Sequence, residues 1–110
     1  MNEIIKAMKE RRSICKFKPD MPPKMDIEQI VDAGLYAANG MGKQAVITVA
    51  VTNKALRDRL AEANRKIGGW QEGFDPFYGA PVILIVLADK NWRNRVYDGS
   101  LVMGLSLIHI

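Results

Sequence analysis

The sequence predicts a sandwich of helices and strands, α/β or α+β, with a sheet covered on both faces. Two apolar runs rich in β-branched residues carry that expectation, "AVITVAV" at 45–51 and "VILIVLA" at 82–88. Neither run alternates polar with apolar residues, so each reads as a buried strand. The segments before, between and after them repeat apolar residues every three to four positions, which is helical periodicity.

The elements follow in order. Residues 2–11 set Ile4, Ile5 and Met8 at helical spacing with Lys6, Lys9 and Glu10 between them, a short amphipathic helix ending near Arg11 or Arg12. "FKPDMPPK" follows, and its three prolines make it an extended connector. Asp26 suits an N-cap, with Gln29 as its capping-box partner. Ile27, Ile30, Val31, Leu35 and Ala38 then form one stripe, and the helix is expected to end at "NGMG", where Gly40 and Gly42 permit positive φ. After the first strand, Thr52 or Asn53 caps a third helix that places Leu56, Leu60, Ala63 and Ile67 on one face. "GGWQEGFDPFYGAP", 68–81, has no periodicity and reads as a loop. The run at 82–88 is the strongest strand and is expected to be central. "NWRNRVYDGS" reads as a loop in which Asp98 or Ser100 caps a helix starting near Leu101.

Composition bounds the function. The 110 residues are 48% hydrophobic and 25% charged, the balance of one small globular domain. A formal charge of +4 favours polyanions, but the cations are dispersed among acids in "KERR", "RDRLAE" and "ADKNWR". A basic nucleic-acid-binding module therefore rests on the charge alone, and no nucleic-acid partner is expected. With Cys15 the only cysteine and His109 the only histidine, an intramolecular disulfide and a Cys/His zinc cluster are excluded. "MNEIIKAMKERRS" lacks the apolar core of a signal peptide, and no apolar run reaches the length of a membrane span. The expectation is a cytoplasmic protein with no membrane partner.

Three stretches carry chemistry. "RRSICKF", 11–17, groups Arg11, Arg12 and Ser13 beside Cys15. The two arginines either offset the negative end of the first helix dipole or, with the serine hydroxyl, hold an anion such as phosphate by charge-assisted hydrogen bonds. "NGMGKQ", 39–44, is either a helix C-cap or a glycine-rich turn whose backbone lets a flat ligand approach closely. It fits neither the GxxxxGK[ST] nor the GxGxxG pattern. "DPFYGAP" delivers the chain into the second strand, and its aromatic neighbours form either loop packing or a lid over a planar ligand. No Ser/His/Asp or Cys/His arrangement exists, so no catalytic side chain is assigned. Cys15, without a base partner, reads as passive.

Taken together and in this order, these stretches resemble the nitroreductase family. "RRSICKF" is similar to the family's Arg-Arg-Ser-x-Arg-x-Phe motif, with Cys15 where the last arginine stands. "AANGMGKQ" sits at its Pro-Ser-x-x-Asn-x-Gln motif, with Ala38, Asn39, Gly42 and Gln44 at the four named positions, Gly42 standing where the family has asparagine. "FYGAPVILIVLADK" and "YDGSLVMG" match the Tyr-Gly-Ala-Pro entry to a central strand and the Asp-Gly-Ser start of the next helix.

The resemblance covers residues 1 to about 104 and implies an α+β fold, the N-terminal part of a three-layer α/β/α sandwich. It implies, for a full-length parent, FMN as cofactor and NAD(P)H as co-substrate, with hydride passed on to a nitroaromatic, quinone or similar small-molecule acceptor; these 110 residues alone are expected to be inactive. A non-catalytic flavin or nucleotide binder is the alternative. By the same resemblance Arg11, Arg12, Ser13 and Cys15 face the FMN phosphate and ribityl chain. Ala38, Asn39, Gly40, Gly42 and Gln44 are contributed across a homodimer interface. The final six residues, "LSLIHI", are what the transposase-adapter codons CTG TCT CTT ATA CAC ATC encode. Residues 105–110 are therefore expected to be a non-native tail, with an apolar strand or helix end as the alternative; lacking polar periodicity, they offer no amphipathic face to continue the stripe of the family's long helix.

Overall fold

The computed structural model describes residues 2–108, with side chains through Leu105. In chain order the elements are α1 (Glu3–Glu10), α2 (Lys24–Gly34), a 3-10 turn at Gly40–Gly42, β1 (Val46–Val51), α3 (Lys54–Gly68), β2 (Ile83–Ala88) and α4 (Arg95–Ile108). The two strands form one sheet. The N–H of Asp89, just after β2, donates to the carbonyl of Ala45, just before β1 (2.9 Å). The end of one strand thus lies beside the start of the other, and the pair is antiparallel. The chain divides into two compact units. The first holds α1, α2, the 40–42 turn, α4 and most of both strands; the second holds the 13–22 connector, α3 and the rest of 50–84.

In the first unit, the Asn2 side chain accepts the Ile5 N–H (2.9 Å) and starts α1. α2 begins at Lys24, earlier than its expected cap. Pro23 occupies the N-cap position with φ −57°, and its carbonyl takes the N–H groups of Asp26 and Ile27. Asp26 therefore lies inside the first turn, where a carboxylate favours the helix dipole without capping it. The helix stops at Gly34, well before "NGMG", because the N–H groups of Leu35, Tyr36 and Ala37 each bond back three residues and tighten the chain. Leu35 (58% exposed) and Ala38 consequently fall off the stripe, while Ile27 is buried and Ile30 and Val31 are half-buried. α2 packs against α4, and α1 touches it more lightly.

α4 starts at Arg95 rather than near Leu101, so half of the expected "NWRNRVYDGS" loop is helical. Asp98 sits within that first turn, and the Ser100 hydroxyl donates to the Val96 carbonyl instead of capping. The helical backbone also continues through Ile108. Backbone hydrogen bonding needs no amphipathic face, and leucines at 105 and 107 favour helix. His109 and Ile110 lie outside the described residues.

The strands are less buried than predicted. β1 exposes Ile47 (60%) and Val49 (40%) and buries Val51, while β2 is half-buried except at Leu87 (48% exposed). Two strands give helices too little area to close over both faces. In the second unit, the Asn53 side chain accepts the Leu56 N–H (3.0 Å) and starts α3. Gly69 ends it in the left-handed region (φ 73°). The buried positions of α3 are Arg57 and Ala61; Leu56 (44%) and Ile67 (87%) from the expected face are exposed. Arg57 rotates the face because its guanidinium, not an apolar side chain, is what the following turn binds. Among the described residues no helix is long and apolar enough to cross a membrane.

Candidate functional site

The glycine-rich stretch forms a strained loop in the first unit. Met41 (φ 55°), Gly42 (φ 66°) and Gln44 (φ 50°) all occupy the left-handed region. For each of the two non-glycine residues that geometry costs about 1–2 kcal/mol, so surrounding contacts must impose it. Three hydrogen bonds do so. The Asn39 side-chain oxygen accepts the Gln44 N–H (3.0 Å), closing the loop on itself. The Gly40 carbonyl accepts the Lys43 N–H (3.1 Å). The Gly40 N–H donates to Asp98 Oδ1 (3.0 Å) on α4. Asp98 is 3% exposed, and its other oxygen, Oδ2, accepts the Trp92 indole Nε1–H (2.8 Å). The Lys43 ammonium lies 5.7 Å from the Trp92 ring centroid. A Cβ at position 40 would displace the Asn94 side-chain amide and crowd the Trp92 ring.

Beside this loop lies a cleft of about 380 Å³, within the size range of small-ligand sites, lined among others by Asp32, Tyr36, Asn39, Gln44, Thr48 and Val102. Ala38 lines an adjoining hollow of about 330 Å³ with Tyr36, Ser100 and Leu101. Asn39, Gly40, Gly42 and Gln44 are thus gathered in one loop. Met41, Gly42, Lys43 and Gln44 are exposed along its rim.

The basic stretch behaves differently at each residue. Arg12 donates from Nη1 to the Lys9 (2.8 Å) and Arg11 (2.9 Å) carbonyls, so it serves the end of α1, as the helix-dipole reading expects. The exposed Arg11 guanidinium takes no acceptor among the described residues. Ser13 and Cys15 belong to the connector of the second unit, both exposed, with Cys15 a free thiol.

In the second unit the "DPFYGAP" turn is organised by Asp75. Its Oδ1 accepts the Phe77 N–H (2.9 Å), and its Oδ2 accepts both the Gly79 N–H (2.9 Å) and an Arg57 Nη2–H. Arg57 Nε also donates to the Ala80 carbonyl (2.9 Å). Burial pushes the Asp75 carboxyl up, but the Arg57 hydrogen bond and the two backbone N–H groups outweigh it and hold the carboxyl below its ordinary value. Trp70, Phe74 and Tyr78 stack in a row at 5.5 and 5.9 Å, which favours loop packing over a lid for these aromatics. Among the described residues no group of His, Cys, Asp and Glu could hold a metal ion.

Sequence reasoning missed the roles of Asp98, Trp92 and Arg57. The signal available for Asp98 was an acid inside an otherwise apolar helical pattern, and for Arg57 a cation in line with Ala61.

The Nitroreductase family model matches residues 8–68, more than half of the chain, and the chain belongs to the nitroreductase family. It is 30% identical over 91 residues to the FMN reductase [NAD(P)H] of Bacillus subtilis (strain 168), an alignment covering 83% of this chain and 34% of that protein. Two solved nitroreductases with bound FMN share the fold at TM-score 0.90. One is from Bacteroides fragilis NCTC 9343 (23% identity, 99% of this chain, 64% of that one). The other is from Desulfitobacterium hafniense DCB-2 (26% identity, with the same coverage of 99% and 64%). The chain thus spans about a third of the reductase's length and under two thirds of these nitroreductases. The likeness bears out the expected α+β nitroreductase fold.

Proposed function

We propose that this chain is part of an FMN-dependent oxidoreductase. The observation that carries the reading is a strained, exposed glycine loop bordering a ligand-sized cleft in a chain of this family. The donor set suits the cofactor. The Arg11 guanidinium takes no acceptor among the described residues, and Ser13 offers a hydroxyl, both appropriate to a phosphate. The 39–44 loop offers backbone and amide groups to a flat heterocycle. FMN, when bound, supplies the two-electron chemistry that carries hydride from NAD(P)H to a nitroaromatic, quinone or similar acceptor. The chain's own residues bind and orient; none is required to give or take a proton. In the homodimer that we include in this reading, the basic end of α1 from one copy and the 39–44 loop of the other meet on one cofactor. The exposed apolar side chains Ile47, Val49 and Leu87 are consistent with a further covering surface.

The test is a titration of FMN with the chain, followed by flavin fluorescence. Saturable quenching supports the reading, and its absence overturns it. NAD(P)H oxidation with nitro and quinone acceptors then separates a reductase from a flavin binder that does no chemistry. Comparison of NADH with NADPH assigns the donor.

A further inference from the structure

We propose that Asp98 is a positioning residue for the cofactor loop, holding residues 40–44 in their ligand-accepting shape from the first turn of α4. The inference rests on the FMN reading above and goes beyond it, since Asp98 lies outside both cofactor motifs. Three observations converge on it. Asp98 is the buried acid of the first unit, 3% exposed, and both carboxylate oxygens are engaged. Oδ1 takes the N–H of Gly40, the residue that opens the strained segment, 58 positions away in sequence. Oδ2 takes the Trp92 indole N–H, and the same indole packs under Gly40 and beside Lys43.

The left-handed conformations of Met41 and Gln44 relax readily unless the loop is fixed at both ends. Asn39 fixes one end internally; Asp98 fixes the other to a helix. A buried carboxylate that accepts two N–H donors is a stiff anchor, because loss of either bond leaves a charge without a partner. The indole completes the device. It orients the carboxylate so that Oδ1 points at Gly40, and its ring face limits how far the loop can move.

The experiment uses the whole chain and four forms: wild type, Asp98→Ala, Asp98→Asn, and Asp98→Asn combined with Trp92→Phe. Two readings are taken, amide exchange of Gly40 and Gln44 by NMR without ligand, and the FMN dissociation constant. Asp98→Ala should speed exchange at both amides and weaken FMN binding at least tenfold. Asp98→Asn should weaken it too, because its NH2 then faces one of the two N–H donors that a carboxylate oxygen had accepted. The double variant removes the indole donor, freeing the asparagine oxygen for Gly40, and should recover most of the affinity and the exchange protection. Such rescue is not expected of a residue that only stabilises the fold. Unchanged exchange in Asp98→Ala, or unchanged FMN affinity in that variant when the wild type does bind FMN, overturns the proposal. A wild type that binds no FMN overturns the flavin reading instead, and the exchange data still decide whether Asp98 anchors the loop.

Discussion

Arg57 and Asp75, 18 residues apart, form the ion pair that fastens α3 to the turn leading into β2. The Arg57 side chain is 9% exposed and that of Asp75 33%, so the pair is sheltered on one side only. The guanidinium also serves the Ala80 carbonyl and lies 5.6 Å from the Phe77 ring. Asp75 returns the favour to the turn by accepting from Phe77 and Gly79, allowing Tyr78 (φ 52°) to hold a left-handed conformation.

Removing Arg57 should therefore cost more than its charge. Arg57→Ala leaves the Ala80 carbonyl without its donor and opens space at the one polar buried position of α3. A loss of about 2 kcal/mol is expected, within the range for an unsatisfied buried group. Arg57→Lys should recover only part, because an ammonium cannot reach both acceptors in a fixed fork. Urea unfolding of the three proteins checks both statements; equal stability of wild type and Arg57→Ala would dismiss the clamp.

The same pair sets an acid limit. The folded-state pKa of Asp75 is depressed, so its contribution is present above the unfolded value and is lost as pH falls through the folded one. Loss should begin as pH drops below about 4, the ordinary aspartate value, and continue downward. Asp58 and Glu62, whose carboxyls are held low chiefly by hydrogen bonds from Lys54 and Arg65, act in the same direction from exposed positions. Asp75→Asn should be less stable than wild type at neutral pH, with the gap closing towards pH 3. Thermal melts across that range measure it, and a gap that stays constant contradicts the linkage.

These contacts explain which parts of the molecule were legible in the sequence. β-branched runs and caps act locally, so β1, β2 and the Asn53 cap fall where residues within a few positions place them. The start of α4 and the buried face of α3 do not, because Asp98 and Arg57 are fixed by partners far along the chain, Gly40 and Ala80. No periodicity argument sees a bond spanning 58 residues. The same limit applies to the site. The "NGMGKQ" loop was recognisable from its glycines, but its anchor on α4 was not. Arg11 and Arg12, adjacent in sequence, looked equivalent, whereas only Arg12 is engaged by the helix end.

Gly42 and Gly40 should respond to added side chains for different reasons. Gly42 has φ 66° and open space around its Cα, so its cost on substitution is conformational alone. Gly42→Asn should be nearly neutral, because asparagine tolerates the left-handed region, while Gly42→Val should lose about 1–2 kcal/mol. Gly40→Ala instead acts by contact, since its Cβ must displace the Asn94 amide and press on the Trp92 ring that holds Asp98. It should weaken FMN binding more than Gly42→Asn does. Fluorescence titration of both variants reads the difference, and the reverse order would show that the loop is not held as described.

Cys15 occupies an exposed position in the connector, where a longer cation fits without repacking. Cys15→Arg should tighten FMN binding, because a thiol is a weak donor and a guanidinium a strong one. The gain should shrink as salt rises from about 0.01 to 0.15 M, as screening shortens the reach of exposed charge. Equal or weaker affinity at low salt would place this residue away from the phosphate.

Arg11 and Arg12 should separate cleanly by experiment. Arg12 already donates to the Lys9 and Arg11 carbonyls, so its loss strips the end of α1 of a side-chain donor. Because the site is exposed, Arg12→Ala should reduce stability by only about 0.5 kcal/mol, the scale of a cation at a helix C-terminus. Arg11 takes no acceptor among the described residues and has nothing to lose within the fold. Arg11→Ala should leave urea unfolding unchanged and cost about 1.5–3 kcal/mol in FMN affinity, the range for hydrogen bonds to charged groups. The two variants therefore exchange rank between the two assays. Arg11→Ala should be the weaker binder and Arg12→Ala the less stable protein, provided that the free guanidinium is the one reserved for the phosphate. If instead Arg12→Ala shows the larger loss of FMN affinity, the helix-end hydrogen bonds must break on binding, and the assignment of the phosphate to Arg11 is wrong.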